Sequence, residues 1–178
     1  MNEEGKYLPT PYEQLIHKSR YARWLDEHNR RENWPESVTR FMEAAKKQAS
    51  GKCGYTLTDA EVKSLQSSIL NLEVLPSMRL MMTAGKAVDL ENIAAYNCSY
   101  IAVNNKRAFS EALYILMNGT GVGFSCERQE IAKLPPVPEE LKESDDVIVV
   151  ADSKIGWAKA LRKFISSIFE GDIPKIDY

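Results

Sequence analysis

Apolar positions follow a helical period through the first half of the chain and gather into strand-like runs in the second. From residue 11 to about 30, Leu15, Tyr21 or Ala22, and Leu25 return at helical spacing, and Pro11 suits a first helical turn. Trp34-Pro35 breaks that pattern. Pro35-Glu36-Ser37 then opens a second helix to about residue 47, with Val38, Phe41, Met42 and Ala45 on one face. Ser50-Gly51-Lys52-Cys53-Gly54 reads as a turn. Thr58-Asp59-Ala60-Glu61 predicts a capping box, in which Thr58 and Glu61 satisfy free amides at a helix start. This third helix is expected to end near Leu72, ahead of Pro76.

Beyond Asp89 the pattern changes. Residues 95–103 are rich in aromatic and β-branched side chains and predict a strand. Asn104-Asn105 predicts a turn and cap. Phe109, Ala112, Leu113 and Leu116 mark the buried stripe of a helix that stops at Gly119, and a second strand follows over about 122–125. Leu134-Pro135-Pro136-Val137-Pro138 starts a polar loop expected to reach about Asp146. Val147-Ile148-Val149-Val150 then reads as a short strand or an extended segment. Asp152 or Ser153 caps a last helix, with Ala158, Leu161, Ile165 and Ile168 inward and Gly171 closing it. The result is an α+β or α/β chain, with a helical region over 1–88 and strand–helix–strand units over 89–178. The final residues, from Asp172 to Tyr178, read as one more strand with nothing left to pair it. An unpaired strand exposes amides and carbonyls that need partners, so the chain is expected to be cut short.

Composition narrows the function classes. The chain has 178 residues, 44% hydrophobic and 27% charged, which suits one domain or a helical subdomain plus part of another. A formal net charge of -2 supplies no basic field, so neither nucleic acid nor a membrane surface is an expected partner. No stretch approaches the roughly 20 apolar residues of a membrane span. The first ten residues have no apolar core of a secretory signal. Cys53, Cys98 and Cys126 are too few and too scattered for a disulfide framework, and the cytoplasm is the expected compartment.

Several groups invite a chemical reading. Cys98 stands within the first predicted strand, where it is either a small buried hydrophobe or a redox thiol held rigidly toward a closed site. A thiol doing reductive work gives up two electrons jointly with a second thiol, as a disulfide. Cys53 and Cys126 show no CxxC spacing. Gly119-Thr120-Gly121-Val122-Gly123 has the order helix, glycines, strand, the reverse of a phosphate-binding turn. A helix cap is its plainest explanation, and close approach of backbone to a ligand is the next. His17 and His28 lie eleven residues apart, on one face of the first predicted helix but roughly 16 Å apart along it, so no shared metal is expected. Arg20, Arg23, Arg30 and Arg31 interleave with Tyr21, Trp24 and Trp34, but Asp26, Glu27 and Glu32 dilute the charge, and a solvated helix surface explains them. Met78, Met81 and Met82 read as core or gap-filling residues, with an adaptable substrate wall as the alternative.

Three stretches together carry a family resemblance. They are Ser19-Arg20-Tyr21-Ala22-Arg23-Trp24 with Arg30-Arg31-Glu32-Asn33-Trp34-Pro35-Glu36; Leu75-Pro76-Ser77-Met78-Arg79 with Met82-Thr83-Ala84-Gly85; and Tyr96-Asn97-Cys98-Ser99-Tyr100 followed by Met117-Asn118-Gly119-Thr120-Gly121-Val122-Gly123-Phe124. In order and spacing the chain resembles the N-terminal part of the adenosylcobalamin-dependent (class II) ribonucleotide reductases, especially the ribonucleoside-triphosphate branch. Gly156-Trp157-Ala158 and Ile173-Pro174-Lys175 also fit.

The resemblance implies a helical region leading into the first strand–helix–strand units of an incomplete ten-stranded α/β barrel. It implies that Cys98 is one half of the substrate-reducing cysteine pair, its partner lying outside this chain. Ser77, Met78, Asn97 and Gly121 would contact the ribonucleotide. Asn104 and Asn105, with Glu127 and Arg128, would fall in the deoxynucleotide effector region, although the family often has an acidic residue in that turn. The implied reaction converts ribonucleotides to 2′-deoxyribonucleotides by radical chemistry with adenosylcobalamin, for which no metal ligand is expected in this chain. A complementary C-terminal polypeptide and a thioredoxin-like reductant would be the partners, and the isolated chain would be inactive. A stand-alone nucleotide-binding or assembly module without catalysis is the competing expectation.

Overall fold

A computed structural model describes residues 3–178. The chain divides into two compact units, Met1–Tyr96 and Asn97–Tyr178. In the first unit, α1 (Glu3–Tyr7) and α2 (Pro11–Ile16) lead into a π-helical turn, His17–Tyr21. Two short strands, β1 (Trp24–Leu25) and β2 (Arg30–Arg31), pair antiparallel, and the longer helices α3 (Trp34–Cys53) and α4 (Asp59–Leu70) follow. Two further short helices, α5 (Met78–Thr83) and α6 (Lys86–Leu90), complete it.

Capping boxes set three of the helix starts: Thr10 with Glu13, Asn33 with Glu36, and Thr58 with Glu61. The expected helix over 11–30 does not form as one piece. Its amides are claimed elsewhere: the Arg23 N–H donates to the Glu32 carboxylate at 3.1 Å, the Glu32 N–H donates to the Arg23 carbonyl at 2.8 Å, and Asn29 turns the chain at φ 48°. His17 and His28 therefore share no helical face. The second helix continues through most of the segment expected to turn, to Cys53, and is stopped by Gly54, which takes the left-handed conformation that glycine tolerates. Leu8, Trp34, Val38, Met42, Ile69 and Met81 form the buried core, and the Trp34 indole N–H donates to the Leu70 carbonyl at 3.1 Å.

The second unit repeats one arrangement. Strand β3 (Cys98–Ala102), helix α7 (Arg107–Met117) and strand β4 (Gly121–Ser125) make a parallel pair joined through a helix. After the short α8 (Arg128–Ile131), strand β5 (Lys142–Val149), helix α9 (Lys154–Glu170) and strand β6 (Asp172–Asp177) do the same. Helices α7 and α9 pack on each other, and Lys106 lies over the Phe169 ring. The chain is thus α+β, with helices and short strand pairs. Two expectations are corrected here. The polar loop ends at Lys142 rather than Asp146, because the charged stretch is absorbed by a register shift between Glu143 and Val147. The final strand does find a partner, β5. No helix among the described residues is long and apolar enough to cross a membrane.

Gly156 is required by contact. A Cβ there would lie 2.1 Å from the Ala151 carbonyl oxygen, a backbone atom. Gly156→Ala is expected to cost about 1–3 kcal/mol through overpacking at the start of α9, measurable as a lower denaturant midpoint.

Candidate functional site

Parallel pairing puts Cys98 in register with Gly121, and Tyr100 with Gly123. Successive residues of a strand alternate between faces, so Cys98, Tyr100, Gly121 and Gly123 share one face of the pair. All four are exposed, Tyr100 at 68%. The other face carries Ser99, Ile101 and Val122, which are partly covered, and Phe124, which is 68% exposed. The turn that brings Gly121 opposite the thiol is firmly held. Gly119 adopts φ 80°, and its N–H donates to the Leu116 carbonyl at 2.8 Å. The Gly121 N–H donates to the Asn97 carbonyl at 2.8 Å, and the Ser99 hydroxyl donates to the Gly121 carbonyl at 3.1 Å. Lys154 donates to the buried Asn118 carboxamide oxygen at 2.6 Å, tying the turn to the start of α9.

The glycines of this turn serve different ends. Gly119 needs its positive φ, which is the cap reading. Gly121 and Gly123 do not: φ is not positive at either, and a Cβ would meet only the Asn97 and Ser99 carbonyl oxygens, at 3.5 and 3.7 Å, ordinary contact distances. Their missing side chains leave the face beside the Cys98 thiol open. Cys98 is exposed, so the reading of a buried small hydrophobe is corrected for this strand pair.

Cys126 follows the last residue of β4 and lies five residues beyond the Cys98 partner Gly121, roughly 16 Å along the strand at about 3.3 Å per residue. These two thiols cannot form a pair in this arrangement. Cys53, in the last turn of α3, is also free and exposed. Among the described residues no group of three or more His, Cys, Asp or Glu side chains could hold a metal ion.

The turn after β3 is organised by side chains. Asn104 donates to the Glu130 carboxylate at 2.9 Å, Asn105 donates to the Asn104 carboxamide oxygen at 2.7 Å, and the Arg107 N–H donates to the Asn105 side chain at 2.9 Å. Lys133 also binds Glu130, and these two partners hold its carboxyl below the usual range. Glu127 is the N-cap of α8 with no side-chain bond to the helix's backbone amides; its carboxylate accepts from the Gln129 side chain, and Arg128 is exposed. In the other unit Ser77 is the N-cap of α5, accepting weakly from the Leu80 N–H at 3.5 Å, and Met78 is exposed.

A family model described as the ribonucleotide reductase alpha domain matches residues 2–86. Proteins curated as adenosylcobalamin-dependent ribonucleoside-triphosphate reductase are similar over much more of the chain. The one from Lactobacillus gasseri is 30% identical over 168 residues, covering 79% of this chain and 22% of that protein. The one from Lactobacillus helveticus is 29% identical over 192 residues, covering 92% of this chain and 24% of that protein. The chain is a relative of the adenosylcobalamin-dependent ribonucleotide reductases. A crystal structure of a B-12 dependent (class II) ribonucleotide reductase has the same fold over 92% of this chain and 32% of that one, with a TM-score of 0.74 at 20% identity. The chain spans about a quarter or less of the length of these curated relatives.

Two parts of the family-like motifs do work that sequence reasoning missed. The buried Glu32 forms an ion pair with the partly buried Arg40, whose Nε and Nη2 lie 2.8 and 3.0 Å from the two carboxylate oxygens. Ser37 donates to Glu32 at 2.7 Å and lies 2.9 Å from the His17 ring nitrogen, which therefore donates to the hydroxyl. Arg40 also donates to the carbonyls of Tyr21, Met81 and Ala84. The expected solvated surface around Glu32 is thus an interior network. Close by, Arg30 clamps Glu36 with two bonds of 2.8 Å and holds its carboxyl down at about 2. The Asn33-x-x-Glu36 spacing is a readable sign of the helix start; the reach from Glu32 to Arg40 and on to Met81 is not.

Proposed function

We propose that this chain supplies the first cysteine strand and part of the substrate pocket of a ribonucleotide reductase that makes 2′-deoxyribonucleotides. The observation that carries the reading is the exposed Cys98 thiol in register with Gly121, on a face that two glycines keep clear although the backbone does not demand glycine there. A nucleotide sugar can approach such a thiol without meeting side chains of β4. Ser77 and Met78, and separately Asn97 and Gly121, are assigned to substrate contact. Asn104, Asn105, Glu127 and Arg128 are assigned to the deoxynucleotide effector region. Residues 1–88 form the helical region, and residues 89–178 begin an α/β barrel that ten strands would complete.

Reduction replaces a ribose C–OH by C–H. Two thiols give two electrons and two hydrogens, the hydroxyl leaves as water, and a disulfide forms. Cys98 is one of these thiols. Cys126 is too far along the strand pair to be the other, so we assign the second to the part of the family's length that this chain does not span. Such chemistry belongs in a reducing compartment, the cytoplasm, with a thioredoxin-like dithiol to restore the pair.

The relatives named above use adenosylcobalamin, which supplies radical chemistry when bound. This chain does not fit that cofactor. A concavity of about 720 Å³ in the helical unit carries the carboxylates of Asp26, Glu27, Glu32, Glu36 and Glu43 beside Trp24 and Leu25, a poor lining for the apolar face of a corrin. The cofactor's contacts are assigned to the complementary C-terminal polypeptide.

The test is co-expression with the coding sequence for that complementary polypeptide, followed by assay with adenosylcobalamin, a dithiol and ribonucleoside triphosphates. Deoxynucleotide formation that requires this chain is expected. Nucleotide binding without any reduction would instead favour a stand-alone binding module, and turnover by the isolated chain would refute the need for a second polypeptide.

A further inference from the structure

We infer that Tyr100 is the residue on which the base of the substrate stacks, an inference that rests on the reading of Cys98 as the thiol beside the sugar. Tyr100 projects from the same face as Cys98, two residues further along β3, which is about 6.6 Å at 3.3 Å per residue. Its neighbour across the pair is Gly123, so one side of the ring is bounded by bare backbone. Tyr100 is 68% exposed, and its face otherwise carries only the small side chains of Cys98, Ala102 and Ser125 beside the two glycines.

The chemistry of the face selects which part of a nucleotide it meets. Phosphates call for cations or converging amides. Residues 97–103 and 119–126 contain no Lys or Arg. An aromatic plane beside a glycine strip instead makes a slot for another flat ring. Stacking on an aromatic side chain tolerates any base, because every base has a π-face. With the sugar over Cys98, a base lying along β3 reaches Tyr100, so the strand positions both ends of the nucleoside. A tyrosine here is thus a substrate-contacting residue that secures every ribonucleotide and discriminates little among them.

The experiment uses the assembled reductase. Dissociation constants and KM are measured for ATP, CTP, GTP and UTP, and dissociation constants for base-free ribose 5-phosphate, in wild type, Tyr100→Phe, Tyr100→Leu and Tyr100→Ala. Tyr100→Phe is expected to stay within about twofold of wild type, since the ring remains. The Leu and Ala variants are expected to weaken all four nucleotides by about tenfold, with KM rising more than kcat falls and ribose 5-phosphate binding unchanged. Recovery by Leu would show that Tyr100 only fills space. Equal losses in Phe and Ala would assign the contact to the hydroxyl, and equal weakening of ribose 5-phosphate would mean a general disturbance. Each of these, or no change at all, overturns the inference. The binding measurements stand even if the assembly reduces nothing, so failure of the thiol reading and failure of the stacking contact are told apart.

Discussion

Arg40→Met is expected to lower the unfolding free energy of the helical unit by about 3 kcal/mol, the low end of the range for breaking a buried ion pair from one side, since Arg40 keeps 16% of its side chain exposed. The substitution strands the Glu32 carboxylate, whose side chain is only 4% exposed, and removes donors from three backbone carbonyls. Urea denaturation followed by tryptophan fluorescence reads the loss, since Trp24 and Trp34 both lie in this unit. The double variant Glu32→Leu/Arg40→Met is expected to regain part of it, because no charge is then left buried. The same network sets an acid dependence. Burial by itself raises the Glu32 carboxyl, but the bonds from Arg40, the Arg23 amide and Ser37 outweigh it and hold the group below its usual 4.5. Glu36 is held at about 2. Groups depressed in the folded state stabilise it above the unfolded value and lose that contribution as the pH falls. Stability is therefore expected to be full near neutrality and to fall away between about pH 4.5 and 2, with Arg40→Met flattening the decline. A decline of unchanged steepness in that variant would detach the acid effect from the Glu32–Arg40 pair.

Cys98→Ser is expected to abolish deoxynucleotide formation by the assembled reductase, a loss on the order of 10³-fold or more, as when one member of a group acting as a unit is removed. A hydroxyl cannot yield the two-electron disulfide that reduction requires. Nucleotide affinity should persist, because serine keeps the face open. Stability should change by roughly 0.5 kcal/mol or less, since the side chain is exposed at the end of a short strand. Cys126→Ser, by contrast, should reduce substrate at nearly the wild-type rate, given its position at the far end of β4. Retained turnover in Cys98→Ser would remove the thiol from the chemistry altogether.

Most of the second unit is legible in the order of its residues. Strand, helix and strand around Cys98, the glycine stop at Gly119 and the last helix closing at Gly171 all follow from local pattern, because caps and alternation act over a few residues. The first unit is less so. Leu15, Tyr21 and Leu25 carry a helical period, yet the chain there breaks into a short helix, a π turn and a hairpin. Hydrogen bonds to Glu32 and Arg40 outweigh a weak local preference, and their partners lie up to 44 residues away in sequence. The same holds for Asn104, whose bond to Glu130 spans 26 residues.

What the amino-acid order determined by itself is which segments form helices and strands around Cys98, and the presence of one thiol and three nearby glycines in a family-like context. Tertiary structure alone decided that Cys98 is exposed, that Gly121 stands directly across from it, that Cys126 is out of its reach, and that Glu32 and Arg40 on either side of Trp34 face inward. The physical reason is distance along the chain: caps and periodicity depend on neighbours a turn away, whereas strand register and buried ion pairs join residues that only folding brings together.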